Sequence, residues 1–211
     1  MNHIVLLGDS ILDNASYTAG GPAVIDHVRR LLPSGWTASL AAIDGSTTED
    51  IAAHLRAISK EASQLLLSVG GNNAILRADV LETPVSSSGE ALLLLADAVA
   101  EFEVTYRNSI DACLATGLPL VICTIYNGNF PEPSYQRRAT VALTAFNDVI
   151  VRVALDKHLK VIDLRLVCNS DGDYANPLEP SASGGSKIAG AILRSVLHEH
   201  PHRNNHIICT A

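Results

Sequence analysis

Several residue groups in this chain have the types and positions that acyl chemistry requires. The first is Gly8-Asp9-Ser10, which follows the apolar run Ile4-Val5-Leu6-Leu7. Such a run reads as a short strand buried on both faces, and Gly8 lets the backbone turn without a Cβ penalty. Ser10 is thereby delivered to the carboxyl end of a first strand, where open α/β sheets bind ligands. Its hydroxyl reads as a nucleophile. Later strand exits carry neutral donors: Gly45, Asn72, and the region of Tyr126 and Asn127. Acyl transfer needs N–H groups aimed at a developing oxyanion. The Ser10 N–H, the Gly45 N–H and the Asn72 amide together meet that need, whereas taken singly Gly45 and Gly70 read as turn glycines. Tyr126 and Asn127 are expected to line the pocket. The Gly-x-Ser-x-Gly elbow is absent, because Leu12 stands at the second Gly position. That counts against an ordinary α/β-hydrolase.

The elements that position these groups alternate strand and helix. After the first strand, Val24, Val28, Leu31 and Leu32 mark a helix face ending at Pro33. Strands are expected at 36–43, 64–69, 118–125 and 160–164, with helices at 90–114, 135–158 and 183–197. A further helix should follow Thr47 and Thr48, which are suited to cap it, with Glu49 and Asp50 in its first turn. The segment after Asn73, with Pro84 and Ser86-Ser87-Ser88-Gly89, reads as a plain surface loop more readily than as a pocket wall. Repeated β-α units imply parallel strands with right-handed crossovers and helices on both faces. The expected architecture is one three-layer α/β/α domain over 1–211, with about 198–211 as a C-terminal tail.

Composition narrows the partners. A net charge of −7 argues against nucleic acid or an anionic membrane as the main partner. Hydrophobic content of 47% with 4% aromatics points to a core of Leu, Ile, Val and Ala. No apolar run is long enough to cross a bilayer, and no signal peptide is visible ahead of the first strand, so a cytoplasmic location is the default expectation unless a leader has been removed. Cys113, Cys123, Cys168 and Cys209 are scattered without a metal-type pair and read as reduced structural thiols.

Taken together, the motifs resemble the SGNH, or GDSL-type, hydrolase family. Gly8-Asp9-Ser10-Ile11 is similar to its first block, with Ile where Leu is usual. Gly45 matches the second, and Gly70-Gly71-Asn72 the third, with Asn73 where Asp often stands. The resemblance spans nearly the whole chain. It implies a flavodoxin-like five-stranded parallel sheet and hydrolysis of esters or thioesters, from lipids to acetylated sugars. It further implies Ser10 as nucleophile, an oxyanion hole of Ser10, Gly45 and Asn72, and no cofactor or metal.

One departure stands out. The family's last block is Asp-x-x-His-Pro, and the matching stretch here is Asn176-Pro177-Leu178-Glu179-Pro180. Glu179 occupies the place of the catalytic His, and Asn176 that of its Asp partner. Three explanations stay open. Glu179 is itself the base, with Asn176 orienting it or its loop; an ordinary glutamate, with pKa about 4.3, is weak for this and burial would have to raise it. Alternatively, a His from elsewhere enters the site, from His3, His27, His54, His158 or the C-terminal histidines. Or hydrolysis is lost and the fold binds an acyl or carboxylate ligand. Asp9 is expected to stiffen the Ser10 turn through backbone N–H groups.

Three further patterns are weaker. His198-Glu199-His200-Pro201-His202 matches the zinc motif His-Glu-x-x-His, but Pro201 would break the helix it requires. Asn14-Ala15-Ser16 is a glycosylation sequon by pattern alone. Gly184-Gly185-Ser186-Lys187 lacks the spacing of a phosphate-binding loop and does not follow a strand.

Overall fold

The computed structural model describes residues 2–197 and the backbone of 207–208. Strands are β1 (Asn2–Gly8), β2 (Trp36–Leu40), β3 (Gln64–Ser68), β4 (Leu120–Cys123), β5 (Lys160–Ile162) and β6 (Ile207–Ile208). Helices are α1 (Val24–Leu31), α2 (Ile51–Leu55), α3 (Gly71–Leu76), α4 (Ser88–Leu114), α5 (Pro133–Asp156), α6 (Leu164–Val167) and α7 (Ala182–Leu197). The sheet order is β2-β1-β3-β4-β5-β6, and every pair is parallel. The first five strands have the flavodoxin-like order. The short β6 is an addition to the expected five strands, within a stretch expected to be a free tail. An open β5 edge offers unpaired N–H and C=O groups, and an Ile-Ile pair suits a strand.

Period-two patterning builds the layers. Ile4 and Leu6 of β1 face one side and Val5 and Leu7 the other, and all four are fully buried. On the Ile4 side pack Val24, Val28, Leu164, Ile188 and Ile192, carried by α1, α6 and α7. On the Val5 side pack Ile51, Phe102, Ile110, Phe146 and Ile150, carried by α2, α4 and α5. β1, an interior strand, has helices on both faces, which explains its unbroken apolar run.

Two segments depart from expectation in ways that matter for the site. β2 ends at Leu40 rather than Ile43, because the N–H groups of Ala41 and Ala42 both donate to Leu6 O (2.8 and 2.9 Å). That bulge terminates the ladder and turns the chain toward Gly45. The segment after Asn73 is a surface loop only from about residue 82 to 87, all exposed. Before that it forms α3 and a 3₁₀ turn, Ala78–Leu81, whose Ala74, Ile75, Ala78, Val80 and Leu81 line a pocket. Flanking Gly, Asn, Asp79 and Glu82 hid this short apolar pattern in the sequence.

The remaining ends are conventionally capped. Ser87 Oγ accepts the Glu90 N–H (3.1 Å) at the start of α4, while Glu90 Oε2 accepts the Ser86 N–H (2.7 Å). Glu132 caps α5, and Pro133 occupies its first turn. Among the described residues no helix is long and apolar enough to cross a membrane.

Candidate active site

The turn carrying Ser10 depends on a close approach of two strands. Gly8 has φ +133°, and a Cβ there would lie 1.7 Å from Ser68 O of β3. Past that point the Asp9 N–H donates to Ser68 O (3.2 Å), and the N–H groups of Leu12 and Asp13 donate to Asp9 O (3.1 and 3.0 Å). Asp9 Oδ1 accepts the Ile11 N–H (3.1 Å) across the same turn. Asp9 and Ser10 are both buried.

Asn72 stands in the first turn of α3. Its Nδ2 donates to Ser46 O (2.8 Å), so the side chain ties α3 to the β2 exit loop and keeps a second N–H. Gly45 lies on that loop, exposed, with φ +80°. The loop is fixed from the Ser10 side as well. The Asp44 N–H donates to Asp13 Oδ2 (3.1 Å), and Tyr17 OH donates to Asp44 Oδ2 (2.6 Å).

The loop bearing Glu179 is held from several directions. Asn176 Oδ1 accepts the N–H groups of Leu178 (2.8 Å) and Glu179 (3.0 Å), and the Ala175 N–H donates to Glu179 O (2.9 Å). Tyr126 OH donates to Leu178 O, and the Asn129 N–H to Pro177 O (2.9 Å). Asn14, fully buried, donates from Nδ2 to Pro180 O (3.0 Å) and accepts the Val24 N–H at Oδ1 (2.9 Å). It therefore joins the Ser10 turn to the Glu179 loop. In the sequence Asn14 reads only as part of the polar turn Asp13-Asn14-Ala15-Ser16 and of a sequon.

These elements converge on a cavity of about 160 Å³. Ser10, Asn72, Tyr126, Asn127 and Glu179 all line it; Gly45 and Asn176 do not, lying on the loops just beside and behind it. No hydrogen bond joins Ser10 Oγ to Glu179 among the described residues. No histidine among the described residues lines the cavity either. His3 binds Thr37 and Ser39 on β2, and His54 is buried against Ser46 Oγ (3.4 Å). The His198–His202 motif and Cys209 lie outside the described residues. Cys113, Cys123 and Cys168 are free and buried, and burial pushes the thiols of Cys113 and Cys168 up to about 12, which leaves them poor nucleophiles.

The electrostatics beside Ser10 are anionic. Burial raises the Glu179 carboxyl above the ordinary range; a hydrogen bond from the Asn176 side chain opposes this, and the Asp44 charge adds to it. Burial likewise raises Asp9 to about 7, with the Ile11 N–H opposing and Asp44 and Glu179 adding like charge. Asp9 thus binds a proton in the folded state that the unfolded chain has released. Its contribution to stability is complete below pH about 3.8 and falls by about 1.4 kcal/mol per pH unit above that, until the folded group titrates near 7. Asp9→Asn keeps the acceptor for Ile11. It is expected to raise unfolding stability by about 4 kcal/mol near pH 8 and by almost nothing near pH 3.5, measured by urea melts at the two values.

A sheet of this order with a Gly-Asp-Ser turn at its β1 exit defines a recognisable class. The chain belongs to the GDSL-like Lipase/Acylhydrolase family, whose model matches residues 6–186. Similar solved structures include the lipase Lip_vut3 from a goat rumen metagenome, at 18% identity and TM-score 0.72 over 93% of this chain and 98% of that one. The acetyl xylan esterase AlAXEase matches at 20% identity and TM-score 0.69, over 92% of this chain and 99% of its own. An extracellular lipase from Streptomyces rimosus matches at 17% identity and TM-score 0.68, over 93% and 100%. No protein in a curated set matches the chain.

Proposed function

We propose that the protein hydrolyses carboxylic esters or thioesters of small molecules, with Ser10 as nucleophile and Glu179 as general base. The observation that carries this reading is that Ser10 and Glu179 line one cavity that no histidine among the described residues lines. Family membership supports the reaction class. Ser10 Oγ attacks the acyl carbonyl as its proton passes to the Glu179 carboxylate. The oxyanion is received by the Ser10 N–H, the free N–H of Asn72 and the Gly45 N–H from the adjoining loop. Collapse expels the alcohol or thiol, which takes the proton back from Glu179. Water then attacks the acyl-Ser10 ester with Glu179 again accepting a proton, and Ser10 leaves reprotonated with the free acid as product. Burial and the neighbouring Asp44 raise Glu179, which strengthens it as a base relative to an ordinary glutamate. The Asn176 turn holds its loop, and Asn14 ties that loop to the nucleophile's turn.

A second reading is favoured by the missing hydrogen bond between Ser10 Oγ and Glu179. On that reading the cavity binds an acyl group without turning it over. A serine-directed alkyl fluorophosphonate separates the two. Hydrolysis predicts one adduct per chain on the peptide containing Ser10, seen by mass spectrometry, and its loss in Ser10→Ala. Absence of an adduct across neutral and alkaline pH would support the binding reading.

A further inference from the structure

We infer that the Ser10 cavity is an acyl-chain pocket for an unsubstituted alkyl acyl group of about six carbons, and that Leu81 and Leu95 form the wall that sets this length. The inference rests on the ester-hydrolase reading for the reaction, and on cavity volume and lining for the chain.

The lining is divided. Polar groups cluster where the acyl carbonyl would sit, at Ser10, Asn72, Asn127 and Glu179. The rest of the lining is mostly apolar, including Val69 and Ile125 just past the ends of β3 and β4 and Leu143 and Phe146 of α5, with Thr124 and Tyr135 as polar exceptions. Arg77 also lines the cavity, but its guanidinium is engaged by Glu101 and Asp79. A sugar or other polyhydroxylated group buried here would leave hydroxyls without partners, at a cost of a few kcal/mol each. An alkyl chain loses nothing and gains from leaving water. Asp9 and Glu179 line the cavity, and the Asp44 charge on the neighbouring loop raises both. A neutral ester is therefore favoured over an anionic one, and the carboxylate product is repelled.

The size follows from the volume. At about 160 Å³ the cavity matches apolar cavities of about 150 Å³ that accept a benzene-sized ligand, hence about six carbons. Next to it lies an open groove of about 670 Å³ between the N-terminal ends of α4 and α5. Leu81 and Leu95 line both spaces, together with the smaller Val80 and Ala142. The two leucines are thus the bulky part of the partition. Both are only partly buried, so shortening either joins the two spaces at limited cost to the core.

The test uses straight-chain 2-alkanones from 2-pentanone to 2-tridecanone. They carry a carbonyl but cannot be hydrolysed, so calorimetric affinity is read independently of turnover. Affinity is expected to rise about fourfold per methylene and then level at about six chain carbons. In Leu81→Ala and Leu95→Ala the rise should continue to about ten carbons, and in Leu81→Phe it should stop at about four. The kcat/KM values for p-nitrophenyl esters of increasing chain length should show the same break points. Break points that shift in ketone affinity without any ester turnover would sustain the pocket and overturn the hydrolase reading. Turnover with ketone affinity independent of chain length would overturn the pocket. An unmoved break point in Leu81→Ala and Leu81→Phe, with melting transitions like the parent's, would overturn the wall.

Discussion

Glu179→Gln is expected to lower kcat/KM for p-nitrophenyl hexanoate by about a thousandfold, with the melting transition unchanged or slightly raised. Positioned general bases contribute about 10²–10⁴ in rate, and glutamine is nearly isosteric but cannot take a proton at working pH. The Glu179 N–H remains available to Asn176 Oδ1, so the loop geometry survives the change. Ser10→Ala should lose at least as much, because it removes the bond-forming atom. The two losses should not add in the double variant, since both groups act in the same steps. The pH profile supplies a second readout. A base works when deprotonated, so parent activity should rise with pH through the Glu179 titration, centred above the ordinary glutamate value because burial raises that group. Asp44→Asn removes a like charge that raises Glu179 and should move this acid limb to lower pH. Full activity in Glu179→Gln would end the proposed pairing, whatever Ser10 does.

The nucleophile's neighbourhood was legible in the sequence because its causes are local. An apolar run followed by Gly8 announces a strand and a turn, and Ser10 falls at the exit by counting alone. The same holds for Asn72, three residues past Val69 at the end of the β3 apolar run. Glu179 emerged only by position within a family block, since nothing local distinguishes it from a surface acid. What could not be read depends on partners far away in sequence. Asn14 looks like an ordinary turn residue until Pro180 O and the Val24 N–H arrive on either side of it. The apolar wall from Ala74 to Leu81 was lost because its helical turns are too short to show a period. The sequence placed Gly45 in the oxyanion hole and Asn176 at the site as the partner of Glu179, and only coordinates show that neither is part of the cavity's lining.

Gly8→Ala should abolish the folded state or lower its stability by about 5 kcal/mol, more than any other small substitution near the site. Two costs combine. At φ +133° an L residue is strained by about 1–3 kcal/mol. The added methyl would lie 1.7 Å from Ser68 O, a backbone atom fixed in the parallel β1–β3 ladder. Relief requires β1 and β3 to separate at their carboxyl ends, which breaks the Asp9 N–H to Ser68 O bond and moves the Ser10 turn. Overpacking of that kind costs a further 1–3 kcal/mol or more, about as much as the strain itself. Gly45→Ala isolates the first cost. Its φ of +80° is also left-handed, yet its Cβ would meet nothing within 4 Å, so about 1 kcal/mol is expected. Thermal melts of the two variants at neutral pH compare them directly. Equal, small losses would show that the close approach of the two strands yields without cost. The nucleophile's placement would then have to be secured elsewhere, with the bonds from Leu12 and Asp13 to Asp9 O the remaining restraints on the turn.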